Sequence, residues 1–184
     1  MKISAWLPIV AAAALAFGLA VSARASTSDS ASPLEKLNVW VGRWTLAEES
    51  RETPYSHAFS ISWGADCSWM PNQSYMICDF ESDGVDPAAG GVENNLSLFT
   101  YSTSDRAYHH MGITRDAKPL FEKMDVIGDI WTDRFELPYK GKILYCRDVY
   151  TFTSPSSYTH RFEISDDQGS SWTLVSTAVA TKSQ

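Results

Sequence analysis

From residue 57 to residue 69 the side chains alternate between apolar and small or polar types, and this alternation limits the possible fold more than any other feature. One face of the segment carries Phe59, Ile61, Trp63, Ala65, Cys67 and Trp69. A helix, with about 3.6 residues per turn, would spread these side chains around its axis, whereas a strand places every second side chain on one face. The segment therefore predicts a β-strand with one buried face.

The same alternation recurs in residues 76–80, 158–164 and 172–178. Clusters of Gly, Pro, Asn, Asp and Ser separate the alternating segments and are typical of tight turns. No helical pattern is long enough to connect two parallel strands. The sequence therefore predicts an all-β fold, an antiparallel up-and-down β-barrel of about ten strands, with a β-sandwich as the alternative.

A short helix is predicted directly before the first strand. Residues 32–35, with the sequence Ser-Pro-Leu-Glu, match a capping box that has proline at the first helical position. Leu34, Leu37 and Val41 follow at helical spacing, and Gly42 ends the helix. The chain is thus expected to enter its first strand from a short N-terminal helix.

The first 25 residues have the parts of a cleavable export signal. Lys2 supplies a positive start, residues 3–21 are mostly apolar, and residues 23–25, Ala-Arg-Ala, place small side chains at a cleavage position. We expect cleavage before Ser26. A membrane anchor is the alternative, but the apolar stretch is barely long enough to span a bilayer and ends in a cleavage pattern.

The mature protein is expected to be a single acidic domain that works outside the cytoplasm, in the periplasm or as a secreted protein. Residues 26–32 predict a flexible leader, and residues 33–184 predict one barrel domain. Loss of Lys2 and Arg24 with the signal leaves 13 of 15 basic residues against 22 acidic ones, a net charge of −9. Because an acidic surface repels phosphate groups, nucleic acid is not expected as a partner. No membrane span is expected after cleavage, and the oligomeric state is left open.

Three cysteines predict one disulfide. If residues 71–74 form a hairpin with a two-residue tip, Cys67 lies opposite Cys78 on the same face of the strand pair. A disulfide between them is expected in an oxidising compartment, and two buried free thiols are the alternative. Cys146 is left over and is expected to be buried as a small apolar residue.

Two segments resemble a known group of barrels. Residues 37–44, which end in Val-Gly-Arg-Trp, are similar to the opening of lipocalin-like, calycin-type barrels. Residues 152–173, which include Asp-Gln-Gly-Ser-Ser-Trp, resemble an exported bacterial family of unknown function within that group. The resemblance implies an interior cavity that holds a small apolar molecule.

The expected function is binding of a small apolar or amphipathic molecule inside the barrel, because about ten strands enclose more space than the eight that side chains alone can fill. The expected lining residues are Trp63, Tyr145, Arg147, Tyr158, His160 and Phe162. A solid aromatic core, an uncharacterised extracytoplasmic enzyme and a structural or partner-binding module are the alternatives. No catalytic motif is present, so no catalytic residue is predicted.

The histidines form no local metal-binding motif, so neither a metal site nor a cofactor is expected. His109 and His110 are neighbours in a strand and point to opposite faces, so they cannot share one metal. Haem is the less favoured exception. A related barrel group, the nitrobindins, binds haem through a late histidine, which makes His160 the one residue to name as a ligand. That group has an extended glycine-rich opening, which is missing after Trp44.

Overall fold

The structure, a computed structural model, describes residues 32–82, 94–113 and 119–183. The expected export signal lies outside the described residues. A short helix, α1 (Pro33–Lys36), runs into a 3₁₀ turn (Leu37–Val39), and ten strands follow. The strands are β1 (Gly42–Ser50), β2 (Phe59–Trp69), β3 (Met76–Ser82), β4 (Asn94–Ser102), β5 (Ala107–Ile113), β6 (Pro119–Ile127), β7 (Ile130–Tyr139), β8 (Lys142–Ser154), β9 (Ser157–Ser165) and β10 (Thr173–Lys182).

The ten strands form one closed antiparallel barrel. Each strand pairs with the next along the chain, and β1 pairs with β10 to close the barrel. Closure gives every strand two hydrogen-bonded neighbours and leaves none at an edge. The predicted up-and-down barrel is therefore confirmed. Within the described residues, no helix is long and apolar enough to cross a membrane.

The β2–β3 hairpin pairs Cys67 directly with Cys78, and the two sulfurs form the expected disulfide. The tip differs from the expected two-residue turn. Gln73 N donates a hydrogen bond to Met70 O at 2.8 Å, and Gln73 has a φ of 52°. This bond closes a β-turn over residues 70–73, and Pro71, whose φ is fixed, suits its second position. The turn therefore starts at Met70, and the predicted register is unchanged.

Aromatic side chains fill the end of the barrel next to α1, which we call the closed end. Trp40 follows the 3₁₀ turn and is only 2% exposed. Its ring stacks on Phe99 with 5.4 Å between the ring centres, and it meets Trp131 and Phe152 edge-on at 5.8 and 4.9 Å. These contacts bury a large apolar surface in a small volume, which stabilises this end of the barrel.

The Gly-Arg-Trp segment at residues 42–44 joins α1 to the barrel. Gly42 has a φ of +128°, a conformation that residues with a side chain rarely adopt. Trp44 Nε1 donates a hydrogen bond to Trp40 O at 2.7 Å, and Lys182 Nζ lies 4.6 Å from the centre of the Trp44 ring. The motif therefore connects the helix, the first strand and the last strand.

A second group of buried side chains lies towards the opposite end, which we call the open end. Leu144, Cys146, Ile164 and Val175 form this group. Val175 sits at a β-bulge between Leu174 and Ser176, where the pairing of β10 with β9 shifts. Cys146 is buried and free, as predicted, and burial raises the pKa of its thiol to about 12. A thiol of this kind is unreactive at neutral pH.

Candidate functional site

A cavity of about 490 Å³ lies at the open end of the barrel. The chain between β1 and β2 forms one side of it, and the β7–β8 turn forms another. The lining residues are Glu48, Ser50, Thr53, Pro54, Tyr55, Ser56, His57, Ala58, Phe59, Tyr139, Lys140, Phe162, Val175 and Ser176. Loops on a rigid barrel are therefore what shape the entrance to this space.

The cavity combines aromatic walls with a few charged groups. Phe162 is stacked on Phe135 with 6.2 Å between ring centres, and Tyr55 meets Tyr139 edge-on at 6.1 Å. Glu48 lies deeper along β1 and accepts a hydrogen bond from Trp63 Nε1 at 2.8 Å. A bound molecule would contact ring faces along its length and a carboxylate at its inner end.

The structure distributes the six expected lining residues over three places. Phe162 lines the cavity, and Trp63 adjoins it through Glu48. Tyr158 lies at the closed end, where its ring packs against Trp44 at 5.0 Å. Tyr158 is thus part of the filled aromatic core and is separate from the cavity.

Tyr145 and Arg147 lie on the outer face of β8 and do not join Phe162. Arg147 Nε donates a hydrogen bond to Glu163 Oε2 at 2.6 Å, and its guanidinium lies 4.1 Å from the centre of the Trp172 ring. Both residues line a second cavity, of about 480 Å³, together with Trp172. The sequence did not determine which face of β8 points inwards, because both faces mix polar with apolar residues.

His160 faces the interior, where Asp148 holds it. His160 Nε2 lies 2.7 Å from Asp148 Oδ1, and the imidazole stacks on Tyr150 at 4.8 Å. Among the described residues, His160 does not line the open-end cavity. Because Asp148 engages Nε2, this nitrogen is not free to bind a haem iron.

The charge on His160 depends on Asp148. Burial disfavours the imidazolium, but the hydrogen bond and charge of Asp148 outweigh it, and Glu48 and Asp133 add to this effect, so the pKa of His160 is raised above 6.5. Because the pKa of His160 is raised in the folded protein, the stability that its pairing with Asp148 contributes is fully present below pH 6.5. This contribution is lost as the pH rises through the pKa of His160 in the folded protein.

Asp148→Asn is accordingly expected to lower the pKa of His160, because the opposing effect of burial remains while the carboxylate is removed. An NMR titration of the His160 imidazole in the parent and in the variant measures this. The same pKa in both proteins, or a parent pKa at or below 6.5, would contradict the assigned pairing.

A second polar group lies inside the barrel on β5, β6 and β7. His110 Nδ1 lies 3.0 Å from Asp133 Oδ2 and 3.4 Å from Glu122 Oε2, and His110 Nε2 lies 3.0 Å from Ser97 Oγ. One ligand-type atom from each of His110, Glu122 and Asp133 lies within 4.8 Å of the others. Imidazole nitrogen and carboxylate oxygen are the atom types that hold metal ions in proteins.

The protonation of this group follows from burial and mutual attraction. Burial disfavours the charged imidazolium, but hydrogen bonds to Asp133 and Glu122 raise the pKa of His110 to about 9. Burial raises the pKa of Asp133 to about 6, although His110 opposes the shift. At neutral pH, without a metal, His110 is therefore an imidazolium beside an ionised Asp133.

No local sequence motif marks this group, because its members come from three separate strands. His110 pairs with Glu122 across β5 and β6, a contact that only the strand register reveals. One signal was available in the sequence. One buried charged residue stands on the inward face of each strand: Glu122, two residues before Met124 in β6, and Asp133, two residues after Trp131 in β7. Buried charges require a partner.

Comparison with known proteins supports the fold. No family model and no curated protein matches the chain. Among solved structures, the crystal structure of Rv2717c from M. tuberculosis is similar, with a TM-score of 0.54 and 10% sequence identity. The match covers 83% of this chain and 99% of that chain. At this identity the likeness shows a shared barrel fold and carries no function to this chain.

Proposed function

We propose that this protein binds a small apolar or amphipathic molecule in the cavity at the open end of its barrel. The observation that carries the proposal is the cavity itself, whose volume of about 490 Å³ is typical of small-molecule sites. Such sites combine apolar walls with a few polar groups that orient the ligand. Phe162 and Val175 supply such walls here, and Glu48 supplies a polar group at depth.

The lining favours an amphipathic ligand over a purely apolar one. An apolar body would displace water from the faces of Phe59 and Phe162, which is favourable in proportion to the area buried. His57 and Lys140 lie at the rim, where a polar end of the ligand would remain in contact with water. Glu48 would select against an anionic group at the inner end.

The fold and the disulfide support two further parts of the proposal. A closed antiparallel barrel that opens with Gly-Arg-Trp is in keeping with a calycin-type barrel, a group whose cavities hold small molecules. The Cys67–Cys78 disulfide favours a location outside the cytoplasm, because disulfides persist in oxidising compartments. We therefore propose that ligand binding takes place in the periplasm or after secretion.

Phe162→Ala tests the site. We expect the parent to bind a fatty acid that carries a polarity-sensitive fluorophore and to raise the emission of this probe. The variant should bind the probe about tenfold more weakly, which is a loss of roughly 1.4 kcal/mol of binding free energy. Because one side of Phe162 borders the cavity, its loss should destabilise the fold by about 1–2 kcal/mol, below the roughly 3–5 kcal/mol of a fully packed phenylalanine. Fluorescence titration and urea unfolding measure the two quantities.

Phe121→Ala is the matched control, because Phe121 is 77% exposed on the outer face of β6. This variant should keep the affinity and stability of the parent. If the parent takes up no probe and Phe162→Ala costs the full packing energy, the barrel is solid and the binding proposal fails. An equal loss of probe affinity in both variants would indicate that the probe binds on the outer surface.

A further inference from the structure

We propose that His110, Glu122 and Asp133 form a binding site for one divalent transition-metal ion inside the barrel. The site is separate from the open-end cavity, since none of the three residues lines that cavity. Each residue comes from a different strand, and β5, β6 and β7 are consecutive in the barrel. A rigid sheet therefore fixes the positions of all three ligands.

The distances agree with ligands that share one ion. In tetrahedral zinc sites each nitrogen or oxygen ligand lies about 2.0–2.2 Å from the metal, which places neighbouring ligand atoms about 3.3–3.6 Å apart. Here Nδ1 of His110 is 3.0 Å from Asp133 Oδ2 and 3.4 Å from Glu122 Oε2. The three ligand atoms, one from each residue, all lie within 4.8 Å of one another.

Asp133 gives an independent indication of a missing ligand. Its side chain lies in the interior, 0% exposed, and among the described residues its Oδ1 has no hydrogen-bond partner. Buried carboxylate oxygens are normally paired, because a charged group without partners is costly in a protein interior. A cation bound by both carboxylate oxygens of Asp133 would supply the absent interaction.

The surroundings of His110 orient it as a ligand. Ser97 Oγ lies 3.0 Å from Nε2 and can accept a hydrogen bond from its N–H, so that an ion which displaces the Nδ1 proton would meet the Nδ1 lone pair. The imidazole also stacks on Phe99 with 4.6 Å between ring centres and 5° between planes. Ser97 and Phe99 are thus positioning residues that hold the ring in the plane required for coordination.

The charge balance favours a dication. Two carboxylates face one imidazole in the site, and Asp148, itself paired with His160, lies close enough to act on Asp133. A divalent ion would neutralise both carboxylates, whereas a single imidazolium neutralises one.

Metal binding to the full exported protein tests the proposal. After treatment with a chelator and dialysis, the parent should bind one Zn²⁺ per chain by calorimetry, and Co²⁺ should give a visible absorption spectrum of a nitrogen- and oxygen-ligated ion. Asp133→Asn and Glu122→Gln keep the shape of each side chain and should each weaken Zn²⁺ binding by more than about tenfold. Circular dichroism checks that both variants fold.

The histidine neighbours on β5 provide a matched pair of variants. His110→Gln should abolish the Co²⁺ spectrum, whereas His109→Gln, on the outer face beside Asp105, should leave it unchanged. Failure of the parent to bind Zn²⁺ would overturn the proposal and identify the group as a hydrogen-bonded imidazolium. Binding that is lost only in His109→Gln would also overturn it, by assigning the ion to the surface.

Discussion

Replacing Trp40 with alanine is expected to lower the free energy of unfolding by about 3–5 kcal/mol, the cost of deleting a large packed aromatic side chain. The ring of Trp40 contacts five others at the closed end, with centre-to-centre distances from 4.9 to 5.8 Å. Alanine keeps the backbone oxygen that accepts the Trp44 hydrogen bond, so this bond is not lost with the ring. Urea unfolding followed by fluorescence measures the change.

The melting temperature should fall by roughly 10 °C or more in the same variant. If Trp40→Ala does not fold, Trp40→Phe retains part of the ring contacts and should show a smaller loss. The exposed Phe121→Ala serves as the control and should change stability by no more than about 0.5 kcal/mol. A similarly small change in Trp40→Ala would contradict the filled closed end.

Removing the Cys67–Cys78 disulfide is expected to cost about 2–3 kcal/mol, because the bond restricts the unfolded chain over a short loop. The double variant Cys67→Ala/Cys78→Ala and the chemically reduced parent should lose similar amounts. A peptide map of the oxidised protein should link Cys67 to Cys78 and leave Cys146 free.

Cys146→Ala is the control that distinguishes the effect of losing the disulfide from the effect of removing a buried cysteine side chain. This variant should still give the linked Cys67–Cys78 peptides. Reduction should lower its stability by the same amount as in the parent, because Cys146 is buried away from the hairpin and unpaired. A peptide that joins Cys146 to either hairpin cysteine, or unchanged stability after reduction, would contradict the assignment.

The sequence was sufficient for those parts of the fold that depend on local pattern. Alternation identified the strands, and the cysteine spacing fixed the β2–β3 register because a one-residue slip would move every side chain to the other face. The capping box placed α1 correctly, and Ser32 N does donate to Glu35 Oε2 at 2.9 Å. In each case the decisive contacts join residues close in the chain.

The parts that the sequence could not supply depend on contacts between distant strands. The inward face of β8 was ambiguous, so Arg147 was expected inside but pairs with Glu163 outside. The bulge at Val175 shifts the pairing of β10 in a way that alternation does not reveal. His110 and Asp133 meet only after β5, β6 and β7 are aligned, and no local motif anticipates such a meeting.

Native mass spectrometry of the purified protein tests the central claim, that the barrel holds a small molecule at its open end, most directly. We expect the purified parent, either as isolated or after incubation with a long-chain fatty acid, to show the polypeptide mass plus one ligand, lost on denaturation. Phe162→Ala should show a smaller bound fraction under the same conditions. The polypeptide mass alone in every sample, with Phe162→Ala indistinguishable from the parent, would contradict the account.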